Sequence, residues 1–155
     1  MVGGRARPRY GAAVSARTTT YRHRVRYLEA DQQGVVFNMW YLGYFDEAMT
    51  LFLEEGGLHY QDMLQAGFDV QLVRSEIDWT APLRWPDEAV VTVGLERAGR
   101  TSFTLRFGVQ SGRHEGVEVA AGRTVYVVVA TDGSGKQPIP PVLAAALGAD
   151  VGADT

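Results

Sequence analysis

The chain has 155 residues, of which 46% are hydrophobic and 21% charged, with 18 Gly, 6 Pro and no Cys. This suits one compact domain with a core of its own and excludes a wholly disordered or fibrous chain. No run approaches the roughly 18 consecutive apolar residues of a membrane-spanning helix, and the missing cysteines exclude disulfides, thiolate metal sites and a cysteine nucleophile. A chain without Cys also fits a reducing, cytoplasmic compartment. The net charge of −3 is unevenly placed: residues 1–17 carry Arg5, Arg7, Arg9 and Arg17 and no acid, whereas the rest holds 11 basic against 18 acidic residues, or −7. An acidic body argues against a nucleic-acid partner, whose footprint is a basic face.

Residues 1–17 read as a flexible Arg-rich tail, because Gly3, Gly4, Pro8 and Gly11 interrupt any amphipathic helix. One domain is expected over 18–148, with a disordered C-terminal tail over 149–155. Thr18–Leu28 alternates loosely through Tyr21, His23, Val25 and Tyr27 and predicts a strand, broken by the turn residues Asp31-Gln32-Gln33-Gly34. From Tyr41 the period becomes helical, with Tyr41, Tyr44, Phe45, Ala48 and Phe52 on one face and Leu42, Met49 and Leu53 on much of the other. That pattern predicts a buried helix, stopped at Gly56-Gly57. A short amphipathic turn at 61–66 follows. The remainder is β: Val70–Thr80, a segment alternating through Ala89, Val91, Val93 and Leu95, another through Phe103, Leu105, Phe107 and Val109, and a long apolar strand over Val117–Thr131. Pro140-Pro141 introduces a short terminal helix. One strand, a buried helix and about four strands make an α+β chain with an antiparallel sheet, wrapped around that helix.

Several sharper motifs fail. Gly133-Ser134-Gly135-Lys136 lacks the upstream Gly of a phosphate loop, has Gln137 where Ser or Thr is needed, and sits at an Asp-Gly turn. No G-x-S-x-G elbow is present, and His23, His59 and His114 show no metal-ligand spacing, so no metal site is expected. The segment from Tyr27 to Tyr41 differs. It sets Asp31 and the tight turn at Gly34 ahead of the buried helix, too far upstream for ordinary capping. Free N–H groups at that helix start suit a carbonyl oxygen that gains negative charge.

The run V-R-Y-x-E-x-D-x-x-G-V-V-F-x-x-x-Y-L-x-Y-F-D, read from Val25 to Asp46, resembles the hotdog-fold acyl-CoA thioesterases of the 4-hydroxybenzoyl-CoA thioesterase family and their Tol–Pal-associated relatives. Weaker likeness is carried by Gly99–Phe103, Ala121–Thr124 and Ile139-Pro140-Pro141, so the resemblance runs from Tyr21 to about Leu147. It implies a hotdog fold, about five antiparallel strands around one long central helix, in a homodimer or a dimer of dimers. It implies an acyl-CoA substrate, with no cofactor beyond the coenzyme A that the substrate itself carries. Asp31 falls on the catalytic carboxylate, as nucleophile or as the base for a water. Asn38 falls on the residue whose backbone N–H polarises the thioester carbonyl. The substrate-binding positions are Gly34, where the loop would approach closely, Val36, Phe37, Tyr41, Arg100 and Ser102. Arg100 would meet the CoA phosphates, often across a subunit interface.

The chain departs from the pattern in places. Many relatives carry His at position 38, which leaves Asn38 a backbone role that any residue but Pro supplies. Trp40 replaces a smaller residue, and Asp46 matches a helix acid read as a supporting polar contact. Three other functions compete: a thioesterase acting on acyl carrier protein, whose polyketide-type members carry Asn in place of Asp31; a non-catalytic acyl-CoA-binding hotdog protein; and a hotdog dehydratase or hydratase, which would need its own Asp/His pair. The acyl group, aromatic or aliphatic, is not legible.

Overall fold

The computed structural model describes residues 17–149; apart from Arg17 and Ala149, the predicted tails lie outside the described residues. The elements are β1 (Thr18–Arg24), a 3-10 turn at Tyr27–Glu29, α1 (Trp40–Glu55), α2 (Tyr60–Gln65), β2 (Phe68–Trp79), β3 (Glu88–Ala98), β4 (Ser102–Ser111), β5 (Glu118–Ala130) and α3 (Pro141–Leu147). The five strands form one sheet in the order β1-β3-β4-β5-β2, antiparallel at each pairing. Among the described residues no helix is long and apolar enough to cross a membrane.

Period-two alternation decides which face of the sheet is buried. Ala89, Val91, Val93 and Leu95 of β3 and Phe103, Leu105, Phe107 and Val109 of β4 turn to the core, while Thr92, Arg106 and Gly108 take the other face. The predicted helical stripe behaves as read: Tyr41, Tyr44, Phe45, Ala48 and Phe52 are all buried, with Phe45 stacked on Phe107 at 4.3 Å between ring centres. Burying side chains of this size contributes on the order of 1.5–3 kcal/mol each.

The opposite side of α1 corrects the expectation of a helix buried all round. Leu42, Asp46, Glu47 and Thr50 are exposed. Of the second apolar stripe, Leu53 is buried and Met49 half-buried, so the cover fails at Leu42 and along the polar positions beside it. At 16 residues α1 spans about 24 Å. It stops at Gly56-Gly57 as predicted, and the two glycines serve different ends. Gly57, at φ 88°, takes the left-handed conformation. Gly56 is needed for space, because a Cβ there would stand 2.3 Å from the Ala146 carbonyl oxygen of α3.

Arg17, read above as part of the tail, belongs to the domain. Its guanidinium donates to the Phe52 carbonyl at 3.1 Å and to the Ala146 carbonyl, and lies 3.9 Å from the centre of the Phe52 ring. It satisfies carbonyls near the ends of α1 and α3 that have few other donors. Composition alone could not separate this arginine from Arg5, Arg7 and Arg9.

Candidate active site

The segment ahead of α1 folds back on itself as a tight loop. The Asp31 N–H donates to the Val35 carbonyl at 2.8 Å and the Gly34 N–H to the Asp31 carbonyl at 3.0 Å. Asp31 Oδ1 accepts the N–H groups of Gln33 at 2.8 Å and Val35 at 3.2 Å. This Asx turn is why an aspartate suits the position structurally. Gly34 adopts φ 73°, which glycine takes without strain, and a Cβ there would meet nothing within 4 Å. Within the chain its necessity is conformational.

Both flanks of the loop are clamped. Val36 N–H donates to Leu83 O at 2.8 Å, Trp85 N–H to Gly34 O at 3.2 Å and Phe37 N–H to Glu29 O at 2.9 Å. With Ala30 and Val36 bridged antiparallel, Asp31 and Asn38 stand on either side of a short ladder, about three residues or roughly 10 Å apart at strand rise. The N–H groups of Asn38 and Met39 donate to no acceptor among the described residues, and no side chain caps α1. The carboxylate and the free helix start thus share one exposed edge, bordered by Tyr27, Phe37, Met39 and Trp85, all exposed.

The positions expected from sequence to contact substrate divide. Gly34 and Phe37 lie at this edge. Val36 and Tyr41 do not: both are core residues, with Tyr41 packed edge-on against Trp79 at 6.0 Å. Strand alternation is the reason for Val36, since Phe37 turns outward and its neighbour must turn in. Burial pushes the Tyr41 hydroxyl up to about 12. Arg100 and Ser102 lie at the β3–β4 turn, at the opposite end of the sheet, because Asp31 follows the Arg24 end of β1, which pairs with the Glu88 end of β3. The eleven residues of β3 separate the two ends. Within one chain these two residues do not join Asp31.

One buried group escaped the sequence reading. Glu29 is 1% exposed, and its carboxylate meets His23 Nε2 at 2.7 Å and the Arg26 N–H at 2.8 Å. The buried Tyr44 hydroxyl faces the same carboxylate outside hydrogen-bonding geometry. Glu29 therefore ties β1 to the 3-10 turn, while its carbonyl holds Phe37, the residue before Asn38. Burial works to raise its pKa, but the Arg26 N–H and His23 outweigh it and hold the carboxyl below its usual range. His23 has no ligand spacing; the alternation Tyr21, His23, Val25 leading to a motif glutamate is the signal in the sequence for this contact.

Glu29→Ala is expected to cost about 3 kcal/mol of stability by urea unfolding, since it strands the partners of a buried ion. Because the folded pKa is depressed, the stabilisation from Glu29 is complete above its unfolded value near 4.3 and is lost as pH falls through the lower folded value. The wild-type and variant stabilities should therefore converge towards acid pH.

The family model described as "Thioesterase-like superfamily" matches residues 25–147. The chain belongs to that superfamily. A protein of Aquifex aeolicus (strain VF5), provisionally named an esterase, is 34% identical over 109 residues, covering 70% of this chain and 83% of the relative. The 1,4-dihydroxy-2-naphthoyl-CoA thioesterase of Synechocystis is 25% identical in sequence and superposes with a TM-score of 0.77, covering 86% of this chain and 97% of that one. A 4-hydroxybenzoyl-CoA thioesterase mutant crystallised with 4-hydroxybenzoyl-CoA shares the fold at a TM-score of 0.78 and 18% identity, over 85% of this chain and 99% of its own. The fold is the hotdog thioesterase fold with a five-stranded antiparallel sheet, and the enzyme class that goes with the superfamily is thioester hydrolysis.

Proposed function

We propose that this thioesterase-like chain hydrolyses acyl-CoA thioesters at the exposed edge between Asp31 and the start of α1. The observation that carries the reading is the pairing of a carboxylate anchored through one oxygen with two undonated N–H groups, Asn38 and Met39, at a helix N-terminus. The thioester carbonyl lies between them. Its oxygen accepts from the Asn38 N–H, aided by the α1 dipole. The carbonyl carbon is attacked either by the second Asp31 oxygen, giving a mixed anhydride that water then cleaves, or by a water whose proton Asp31 takes. In both routes the carbon–sulfur bond breaks, the sulfur leaves as CoA thiol after gaining a proton, and the acid is released. A CoA ester as substrate implies the cytoplasm as the place of work.

The site is proposed to be completed by a second copy of the chain. β2 is an edge strand that exposes Leu72, Val73 and Trp79, and the uncovered side of α1 adjoins it. Between them lies a cavity of about 280 Å³ lined in part by Asp46, Met49, Leu72 and Tyr126, with the Tyr126 hydroxyl donating to Asp46 at 3.2 Å. An apolar edge of this kind is a pairing surface. Pairing β2 with its own copy antiparallel would bring the Arg100–Ser102 turn of one chain towards Asp31 of the other, where the two residues could bind substrate. The test is a panel of aromatic, short aliphatic and long aliphatic acyl-CoA esters with free thiol released as the readout. Release from at least one class is expected, and no release from any class rejects the reading.

A further inference from the structure

The peptide that carries the free Asn38 N–H hangs from Glu29. It joins Phe37 to Asn38, and both polar groups of Phe37 are gripped. The Phe37 N–H donates to the Glu29 carbonyl at 2.9 Å, and its carbonyl accepts the Trp40 N–H at 3.1 Å. A peptide unit is planar and trans, so the Asn38 N–H points opposite to the Phe37 carbonyl and turns with it. The bond to Trp40 therefore sets its direction, and the bond to Glu29 sets its position. Asp31 is held separately, because its carboxylate rests on N–H groups of its own turn, those of Gln33 and Val35.

Glu29 in turn is held from inside the fold. Its carboxylate accepts the Arg26 N–H at 2.8 Å within the 3-10 turn. A carboxylate can only accept, so His23 Nε2 donates to it, at 2.7 Å to Oε1 and 3.1 Å to Oε2. The Tyr21 hydroxyl stands 3.4 Å from the other ring nitrogen of His23. The imidazole also packs on Tyr44 of α1, with ring centres 4.8 Å apart. His23 thus joins β1, the 3-10 turn and the first turns of α1 at one point. The side chains of His23 and Glu29 are 18% and 1% exposed, so water competes little for the bond between them and the bond fixes geometry.

We propose that the His23–Glu29 pair positions the oxyanion donor, holding the peptide of the Asn38 N–H where the thioester oxygen gains charge. Both residues act through Phe37 and neither touches the substrate. The inference rests on the thioesterase reading and adds to it two positioning residues. Losing the pair displaces the donor without removing it, so the cost is a part of the 10²–10³ for outright loss. It falls on kcat, because the contact strengthens only as charge develops.

The tests use the full chain. His23→Leu should lower kcat for an acyl-CoA ester about twentyfold and leave KM within about twofold. His23→Gln, whose side-chain amide can donate in place of Nε2, should recover most of that loss. Added to Asn38→Pro, which has no N–H left to position, His23→Leu should cost nothing further. A pair that served stability alone would not spare that background. If His23→Leu does not fold, His23→Leu with Glu29→Met takes its place, since it leaves no buried charge unpaired; the same loss is expected. A twentyfold loss on top of Asn38→Pro, a raised KM at unchanged kcat, or unchanged kinetics overturns the proposal. A wild type that cleaves no thioester removes the hydrolase reading instead. Amide hydrogen exchange then decides the positioning by itself. Protection of the Phe37 N–H should fall about tenfold in His23→Leu and return in His23→Gln, and equal protection in all three proteins rejects it.

Discussion

Asp31→Asn should lower thioester hydrolysis by about three orders of magnitude while acyl-CoA still binds. The size follows from the role: removing a positioned base typically costs 10²–10⁴-fold. The substitution is clean for a local reason. Asp31 Oδ1 accepts two backbone N–H groups, from Gln33 and Val35, and an asparagine amide oxygen can accept the same two. The Asx turn and the loop therefore survive, and the charge and the second oxygen are lost. Steady-state release of free CoA gives the rate, and calorimetric titration with intact ester gives the affinity. Turnover within tenfold of wild type would eliminate Asp31 as the reacting carboxylate. Single turnover of wild type in ¹⁸O-water extends the test, since label recovered in the Asp31 carboxylate marks the anhydride route.

Asn38→Pro should cost about 10²–10³ in kcat, the usual loss for one oxyanion donor, whereas Asn38→Ala should stay within about fivefold of wild type because its N–H remains. Proline fits the position. Phe37 is extended, donating to Glu29 O across the short ladder, which is the conformation proline requires of its predecessor. Position 38 also lies just ahead of α1 and donates no hydrogen bond among the described residues. Thermal unfolding of both variants should follow wild type within a few degrees. A large loss in Asn38→Ala, or none in Asn38→Pro, would transfer the carbonyl contact to another group.

Both variants probe features that are legible in the sequence. Asp31 and Asn38 were readable because they belong to one contiguous segment, in which a turn, an acid and a helix start follow each other at fixed spacing. The buried Asp87 carboxylate was not, for the Arg113 N–H and the Ser111 hydroxyl that it accepts come from a distant part of the chain. Glu29 fell between these cases. It sits inside the motif, but its partner His23 comes from β1, and nothing local distinguishes a buried glutamate from a solvated one.

The sequence by itself determined most of the elements and the inward faces of β3, β4 and α1, although the first strand ends at Arg24 and a 3-10 turn takes Tyr27–Glu29 from the stretch expected to be extended. Alternation in β3 and β4 and the Tyr41–Phe52 stripe depend only on the neighbours along the chain, so the five strands and the inward side of α1 follow from pattern alone. Only the tertiary structure decided the rest, because each remaining point depends on residues distant in the chain. Docking on the sheet left one side of α1 uncovered, contrary to a composition that looked apolar all round. Pairing of Gly94 with Thr18 and of Glu88 with Arg24 fixed the direction of β3, and so carried Arg100 away from Asp31. The charge asymmetry also resolves differently from its linear form. Arg17 is a structural cation at the ends of two helices, which no count of residues could locate.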